Sequence, residues 1–357
     1  MDSLRYYIAH NGGLKVMEDR TGQMTTVGEF FPGKTLEHLI GCAKRPEVVF
    51  AAVAFDGGYR SEDAGKSWSK IMEGDVRTFT VDPHDERMIY MGMGPIRLLR
   101  SEDNGKTWEP LDGMLDFGED VKKKWGVPAR LVGVESPHVR HIFVHPEDRN
   151  LLWVLLEHGG NLLSKDRGKT WEDRSAGIEY VDMHYVEAYP GSTDRYYVSS
   201  ARGFYRTDDA GKQWRRVENG MPWGYSEIYS YSHEWHFLPG AKPRMVVCGG
   251  KGSPGVWSRE RIHPHGCILL SDDAGENWRI STEGLEQENP WMPWVLLRHP
   301  TDPQGLFCGM GDGARGYGFD ARIRGKGAFY LSRDRGESWS PVLQDTPSIL
   351  TAWVAPN

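Results

Sequence analysis

Ser61-Glu62-Asp63-Ala64-Gly65-Lys66-Ser67-Trp68 returns almost unchanged as Ser101-Glu102-Asp103-Asn104-Gly105-Lys106-Thr107-Trp108. The same S/T-x-D-x-G-x-x-W pattern recurs from Ser164 to Trp171, Thr207 to Trp214, Ser271 to Trp278 and Ser332 to Trp339. Six copies in a chain of 357 residues make a repeat, and units of this period bury their apolar faces only by stacking on one another. Each position has a turn-forming reason: Ser/Thr and Asp bond turn amides, Gly takes a positive φ, and Trp folds back over the hairpin.

Two strand-like stretches precede each copy. One ends in a proline turn, as in Val76-Arg77-Thr78-Phe79-Thr80-Val81-Asp82-Pro83 and Val139-Arg140-His141-Ile142-Phe143-Val144-His145-Pro146. The next is apolar and runs into glycine, as in residues 151–160 and 195–203. Inner strand, second strand, third strand, turn and fourth strand compose one propeller blade. The pattern resembles the Asp-box, or BNR, repeat of sialidases, sortilin-type receptors, xyloglucanases and photosystem II assembly factors. That resemblance implies a turn between the third and fourth strands of each blade, with an aspartate that has no catalytic role.

A seventh unit is read at the N-terminus, where Arg5-Tyr6-Tyr7-Ile8-Ala9 echoes Arg195-Tyr196-Tyr197-Val198-Ser199 and Met17-Glu18-Asp19-Arg20-Thr21-Gly22 is a worn turn without Trp. Its missing inner strand is expected in residues 349–356, so that the two termini share a blade and leave no open sheet edge. The expectation is an all-β, seven-bladed β-propeller with Asp-box turns, a single domain over residues 1–357. Composition agrees, with 43 Gly, 14 Trp and 15 Tyr pointing to short strands and tight turns.

A net charge of −7 and no basic block beyond Lys122-Lys123-Lys124 argue against nucleic acid as a partner. No stretch has the length of a membrane span or a signal peptide, so no membrane partner and a cytoplasmic location are expected. Cys42, Cys248, Cys267 and Cys308 lack metal-ligand spacing and read as buried free thiols.

Insertions at 112–137, 219–229, 249–266, 283–293 and 311–327 all fall on the face opposite the repeat turns. Such loops on a rigid scaffold build a binding surface, for a small molecule or for a protein partner. Aligning the inner strands on their terminal prolines gives, six positions earlier, Arg77, Arg140, His184, His233 and Trp294, then Leu350 in the seventh blade; the first blade, aligned through Gly57-Gly58, gives His38. Nearer the strand starts stand Asp75, His138, Asp182 and Tyr231, with Glu187 and Glu234 close by. The loops add His10, Asn11, Asp56, His158, Arg202, Asp312 and Arg315.

Histidine offers a neutral nitrogen to a metal or a base near neutral pH, and arginine a permanent fork for an anion. The set therefore suits a small polar or anionic molecule. His184, His233, Asp182 and Glu234 are the candidate catalysts, and Arg77, Arg140, Trp294, Arg202 and His158 the candidate substrate contacts. A divalent metal ion is the cofactor this set allows, held by His38, His184 and His233 with His138 beside them. Solvated or hydrogen-bonded channel residues are the competing reading of the same side chains. Trp223, Tyr225, Tyr229, Tyr231, Trp291 and Trp294 could stack a ring substrate or simply pack between blades. His263-Pro264-His265 and the glycine-rich 309–316 read as loops, because the first supplies too few ligands and the second lacks a P-loop lysine.

The repeat specifies architecture and leaves activity open. Pro95-Ile96-Arg97 inverts the Arg-Ile-Pro segment of sialidases, which also have six blades. Xyloglucanases carry two propellers with acidic catalysts across the cleft between them, and one propeller is read here. The leading expectation is an intracellular hydrolase or lyase for a small polar or anionic substrate. The alternatives are a non-catalytic binding or assembly propeller, and a carbohydrate-active enzyme using Asp75 with Asp182 or Glu187 as acid and base.

Overall fold

The computed structural model describes residues 3–10, 12–20, 22–118, 122–123, 137–222, 231–260, 263–285, 290–312 and 326–357. Seven four-stranded antiparallel sheets account for almost all of its regular structure. The first blade runs Leu36–Gly41, Val49–Val53, Gly57–Ser61 and Ser69–Glu73. The inner strands of the next five are Asp75–Val81, His138–Val144, Met183–Ala188, Tyr231–Leu238 and Met292–Arg298. In the seventh, Ile349–Pro356 pairs with Leu4–His10, and Gly13–Arg20 and Gln23–Phe30 complete the sheet. The fold is a seven-bladed β-propeller whose last blade is shared between the termini, with Arg5 facing Ala355 and Ala9 facing Thr351. The chain groups into two compact units, one of Leu36–Ser200 with Tyr205–Arg215, the other of Met1–Thr35, Ala201–Phe204 and Arg216–Asn357.

Second strands are apolar on both faces because each is covered by packing on both sides. All of Val49–Val53 and Tyr196–Ser200 is buried, as is Leu152–Glu157 except for its last residue. The repeat turns close by their own side chains. Ser61 Oγ donates to Asp63 Oδ1 at 2.9 Å and accepts from Gly65 N–H at 2.8 Å, while Asp63 also accepts from Ser67 N–H at 2.9 Å and Ser67 Oγ at 2.6 Å. The other five copies form the same turn. Both Ala64 (φ 60°) and Gly65 (φ 80°) are left-handed, so the residue before the glycine shares the turn's strain. Trp214, Trp278 and Trp339 are buried, whereas Trp108 and Trp171 are only partly covered.

Inner strands of neighbouring blades belong to separate sheets, so side chains take over where a backbone ladder ends. Thr80 Oγ1 donates to the Ile142 carbonyl at 2.8 Å, His141 Nδ1 accepts from Val186 N–H at 3.4 Å, and His236 Nε2 donates to the Leu296 carbonyl at 2.9 Å. Gly92 brings the second and third blades together: a Cβ there would stand 2.5 Å from Val139 Cγ1. The 249–266 insertion holds the short helix Pro254–Glu260. No helix among the described residues is long and apolar enough to cross a membrane.

Candidate functional site

Every inner strand carries a β-bulge near its start, and a bulge turns the extra residue's side chain out of the strand's alternation. In the first four blades the register breaks around Glu37, Arg77, Arg140 and His184. Three of these are residues that the proline alignment brings to one level. In the first blade the bulged residue is Glu37, and His38 pairs in register with Ala52. The expected position was one residue off because this blade lacks the proline turn that anchors the others. His38 instead faces the next strand, where Nδ1 accepts from Phe79 N–H at 3.3 Å. Burial, with the Arg140 charge adding to it, holds its pKa down at about 4.

Around these bulges lies a dense polar cluster in the unit of blades one to four. Arg77 grips Asp75 through Nε at 2.7 Å and Nη2 at 3.0 Å, and its guanidinium stacks on the Phe55 ring at 4.5 Å. Asp75 also accepts from Phe55 N–H at 3.1 Å. Phe55 itself is left-handed (φ 56°) and 58% exposed. Arg140 Nε lies 3.4 Å from Glu157 Oε2, and its Nη1 4.0 Å from Glu37 Oε2. His138 Nε2 stands 4.0 Å from Glu157 Oε2, His158 Nδ1 3.7 Å from Asp182 Oδ2, and His184 Nε2 3.8 Å from Asp182 Oδ1. Glu157, Asp182 and His184 each bring a ligand atom to within 4.8 Å of the other two. Burial pushes the Glu157 carboxyl up, but Arg140 and the surrounding imidazoles outweigh it and hold the pKa below the usual carboxylate range.

The candidates therefore divide. Arg77, Arg140, Asp182, His158, His184 and His138 gather in this cluster. Of the four histidines expected to share an ion, His184 alone belongs to the three-ligand set among the described residues. His38 is committed to Phe79, and His138 stands beside Glu157 outside that set. His233 lies in the other unit and donates through Nδ1 to the Trp294 carbonyl at 2.8 Å. Glu234, expected as a catalyst, accepts from Leu296 N–H at 2.8 Å and ties two inner strands together. Trp294 is buried against Tyr231, His233 and Trp257, an aromatic cluster with no exposed ring face. Its Nε1 donates to the Asp312 carbonyl at 3.3 Å. Burial raises the Asp312 carboxyl's pKa, with Ser348 partly opposing it. Arg202 is an exposed hairpin residue whose carbonyl accepts from Arg216 at 2.8 Å. Asn11, Trp223, Tyr225, Tyr229 and Arg315 lie outside the described residues.

Sequence reasoning missed Glu37, Phe55 and Glu157. The signal for Phe55 was available. Aligning the hairpin Ala54-Phe55-Asp56 on Glu157-His158-Gly159 places Phe55 on His158, and both are left-handed.

No family model matches the sequence. A probable oligoxyloglucan-reducing end-specific xyloglucanase of Neosartorya fischeri is 22% identical over 343 residues, 87% of this chain and 40% of the relative. The oligoxyloglucan-reducing end-specific xyloglucanase of Emericella nidulans is 24% identical over 76% of this chain and 35% of its own length. The chain thus spans about two-fifths or less of these curated relatives. Among solved structures, the GH74 enzyme of Niastella koreensis superposes with a TM-score of 0.62 at 15% identity, over 95% of this chain and 47% of that one. The GH74 xyloglucanase of Xanthomonas campestris gives 0.59 at 18%, over 95% and 46%. YCF48 bound to D1 peptide gives 0.53 at 16%, over 87% of this chain and 82% of that chain. At these identities the structural likeness establishes the propeller fold, and the sequence relatives are xyloglucanases matched over part of their length.

Proposed function

We propose that this chain is a carbohydrate-active propeller that takes a saccharide at the polar cluster of blades one to four. The observation that carries the reading is Phe55, the one exposed Phe, Tyr or Trp among the described residues, held in a strained backbone conformation over the Arg77 fork. A sugar ring offers an apolar C–H face to an aromatic ring and hydroxyls to polar side chains; Phe55 supplies the first, and Arg140 with the carboxylates and imidazoles of the cluster the second. Strain and exposure together mark a residue kept for contact with a ligand. The xyloglucanase relatives support a saccharide over the small anionic substrate that the arginines alone suggested.

Asp75 is a positioning residue in this reading. Both of its oxygens hold Arg77, so proton transfer falls to Glu157, Asp182 and His184. Glu157, kept ionised by Arg140, stabilises positive charge, and Asp182 between His158 and His184 exchanges protons. Calorimetric titration with soluble β-glucan oligosaccharides tests the contact. Phe55→Ala, which removes an exposed ring and leaves the blade packing alone, is expected to weaken binding about tenfold, equivalent to about 1.4 kcal/mol. Equal affinity in wild type and variant would contradict the reading. Saturable binding without any product would favour the non-catalytic alternative.

A further inference from the structure

We propose that Glu157, Asp182 and His184 form a binding site for one divalent transition-metal ion, with Zn2+ the best match to the donor set. The proposal rests on the saccharide reading and deepens it: with an ion bound, Glu157 and Asp182 would serve as its ligands, and a water held at the ion would supply the proton that Asp182 exchanges without it. Three features of the geometry carry it.

The first is the donor set. Two carboxylates and one imidazole, Glu157 from the end of the second strand of the third blade and Asp182 with His184 from the start of the fourth blade's inner strand, already bring their ligand atoms within 4.8 Å of one another. Metal bonds of about 2.0–2.2 Å set ligand atoms roughly 3–4 Å apart, so closure needs side-chain movements of about 1 Å or less. Three protein ligands with a further position left for water or substrate is the arrangement of a catalytic zinc site rather than a structural one.

The second is the support around those ligands. His158 Nδ1 lies 3.7 Å from the Asp182 carboxylate and His138 Nε2 4.0 Å from that of Glu157. Outer groups of this kind orient ligating carboxylates and tune their basicity. His184 owes its aim to the bulge in its strand. Glu157 Oε2 is buried and accepts no hydrogen bond, its approach to Arg140 being an ion pair at 3.4 Å.

The third is charge. Asp75 and Arg77 neutralise each other. Glu157 and Asp182 hold two carboxylates close together in a largely buried place, where like charges repel. A divalent cation cancels that charge. Arg140 competes with it for Glu157, but Glu37 Oε2 already stands 4.0 Å from Arg140 Nη1 as an alternative partner. Protonation of two imidazoles is the other way to cancel the charge, and the two compensations predict different metal content. When bound, the ion would act as a Lewis acid toward a saccharide oxygen or a water.

The test uses the full chain without a polyhistidine tag, stripped with chelator and titrated calorimetrically with ZnCl2, with metal content read by mass spectrometry. One equivalent of Zn2+ is expected. Asp182→Asn and His184→Gln are each expected to weaken binding by about 100-fold while melting temperature and circular dichroism report a retained fold. The double variant of the exposed loop pair, His263→Ala with His265→Ala, is expected to bind as wild type does. Absence of saturable Zn2+ binding, unchanged affinity in folded Asp182→Asn and His184→Gln, or loss in the loop variant would each overturn the proposal. Saccharide turnover that survives complete chelation overturns the metal site and leaves the saccharide reading standing. Stoichiometric Zn2+ without saccharide binding does the reverse.

Discussion

His38 accepts the Phe79 N–H through Nδ1, a bond that needs the ring neutral on that nitrogen. Its pKa of about 4 in the folded chain, against about 6.5 for a free histidine, has a definite consequence for stability. Between those values the unfolded chain binds a proton that the folded chain refuses, so this residue's contribution is complete above about pH 6.5 and is lost as the pH falls toward 4. Denaturant midpoints measured from pH 7 to pH 4 should therefore fall less steeply in His38→Gln, whose amide can accept the same N–H without titrating, than in wild type. Parallel curves would show that His38 does not titrate as its surroundings imply. At this scale the sequence was informative about residue type and less so about aim. The common level of Arg77, Arg140 and His184 on their strands was legible because terminal prolines put those strands in register. Glu37 was hidden behind His38 by one residue, and on a strand with alternating faces one residue exchanges a channel-facing side chain for a strut between blades. Glu234 and His233 were misread for a related reason: a polar residue near a strand start serves either a ligand or the backbone of the next blade, and only coordinates separate the two.

The repeat turn is the element that sequence alone described best, since its serine, aspartate and glycine act within eight residues of chain. Its tryptophan is less uniform because that ring packs on whatever the neighbouring blade provides. Trp278 is 6% exposed, packs edge-on against Phe204 and donates Nε1 to the Val217 carbonyl at 2.8 Å. Trp68 occupies the same turn position and is only partly buried. Trp278→Ala should cost about 3–5 kcal/mol, in the range for large buried aromatics, and Trp68→Ala clearly less. Equilibrium denaturation of the two variants checks this, and equal losses would mean that the turn and not the packing sets the cost. The bulges were illegible in sequence because no residue type signals them. They arise where each inner strand must both pair with its own blade and present one side chain away from it.

For the whole molecule, the count of seven blades and the shared terminal blade followed from repeats that are nearly copies, and the pairing of residues 349–356 with 4–10 agrees with that reading. Function was less legible because the cluster draws on four inner strands and two hairpins scattered over about 150 residues, from Glu37 to His184, with no local motif joining them. Under the proposed function, saccharide chemistry falls to Glu157, Asp182 and His184, beside the Phe55 and Arg77 platform. The most direct measurement is product formation: xyloglucan and other β-glucan oligosaccharides incubated with wild type and with Asp182→Asn, the products separated and weighed by mass spectrometry. Shorter saccharides from wild type, with the rate reduced at least about 100-fold in a folded Asp182→Asn, are the predicted result, the size of effect expected when a proton-transferring group is removed. Intact substrates with wild type, or equal product from both proteins, would contradict the account.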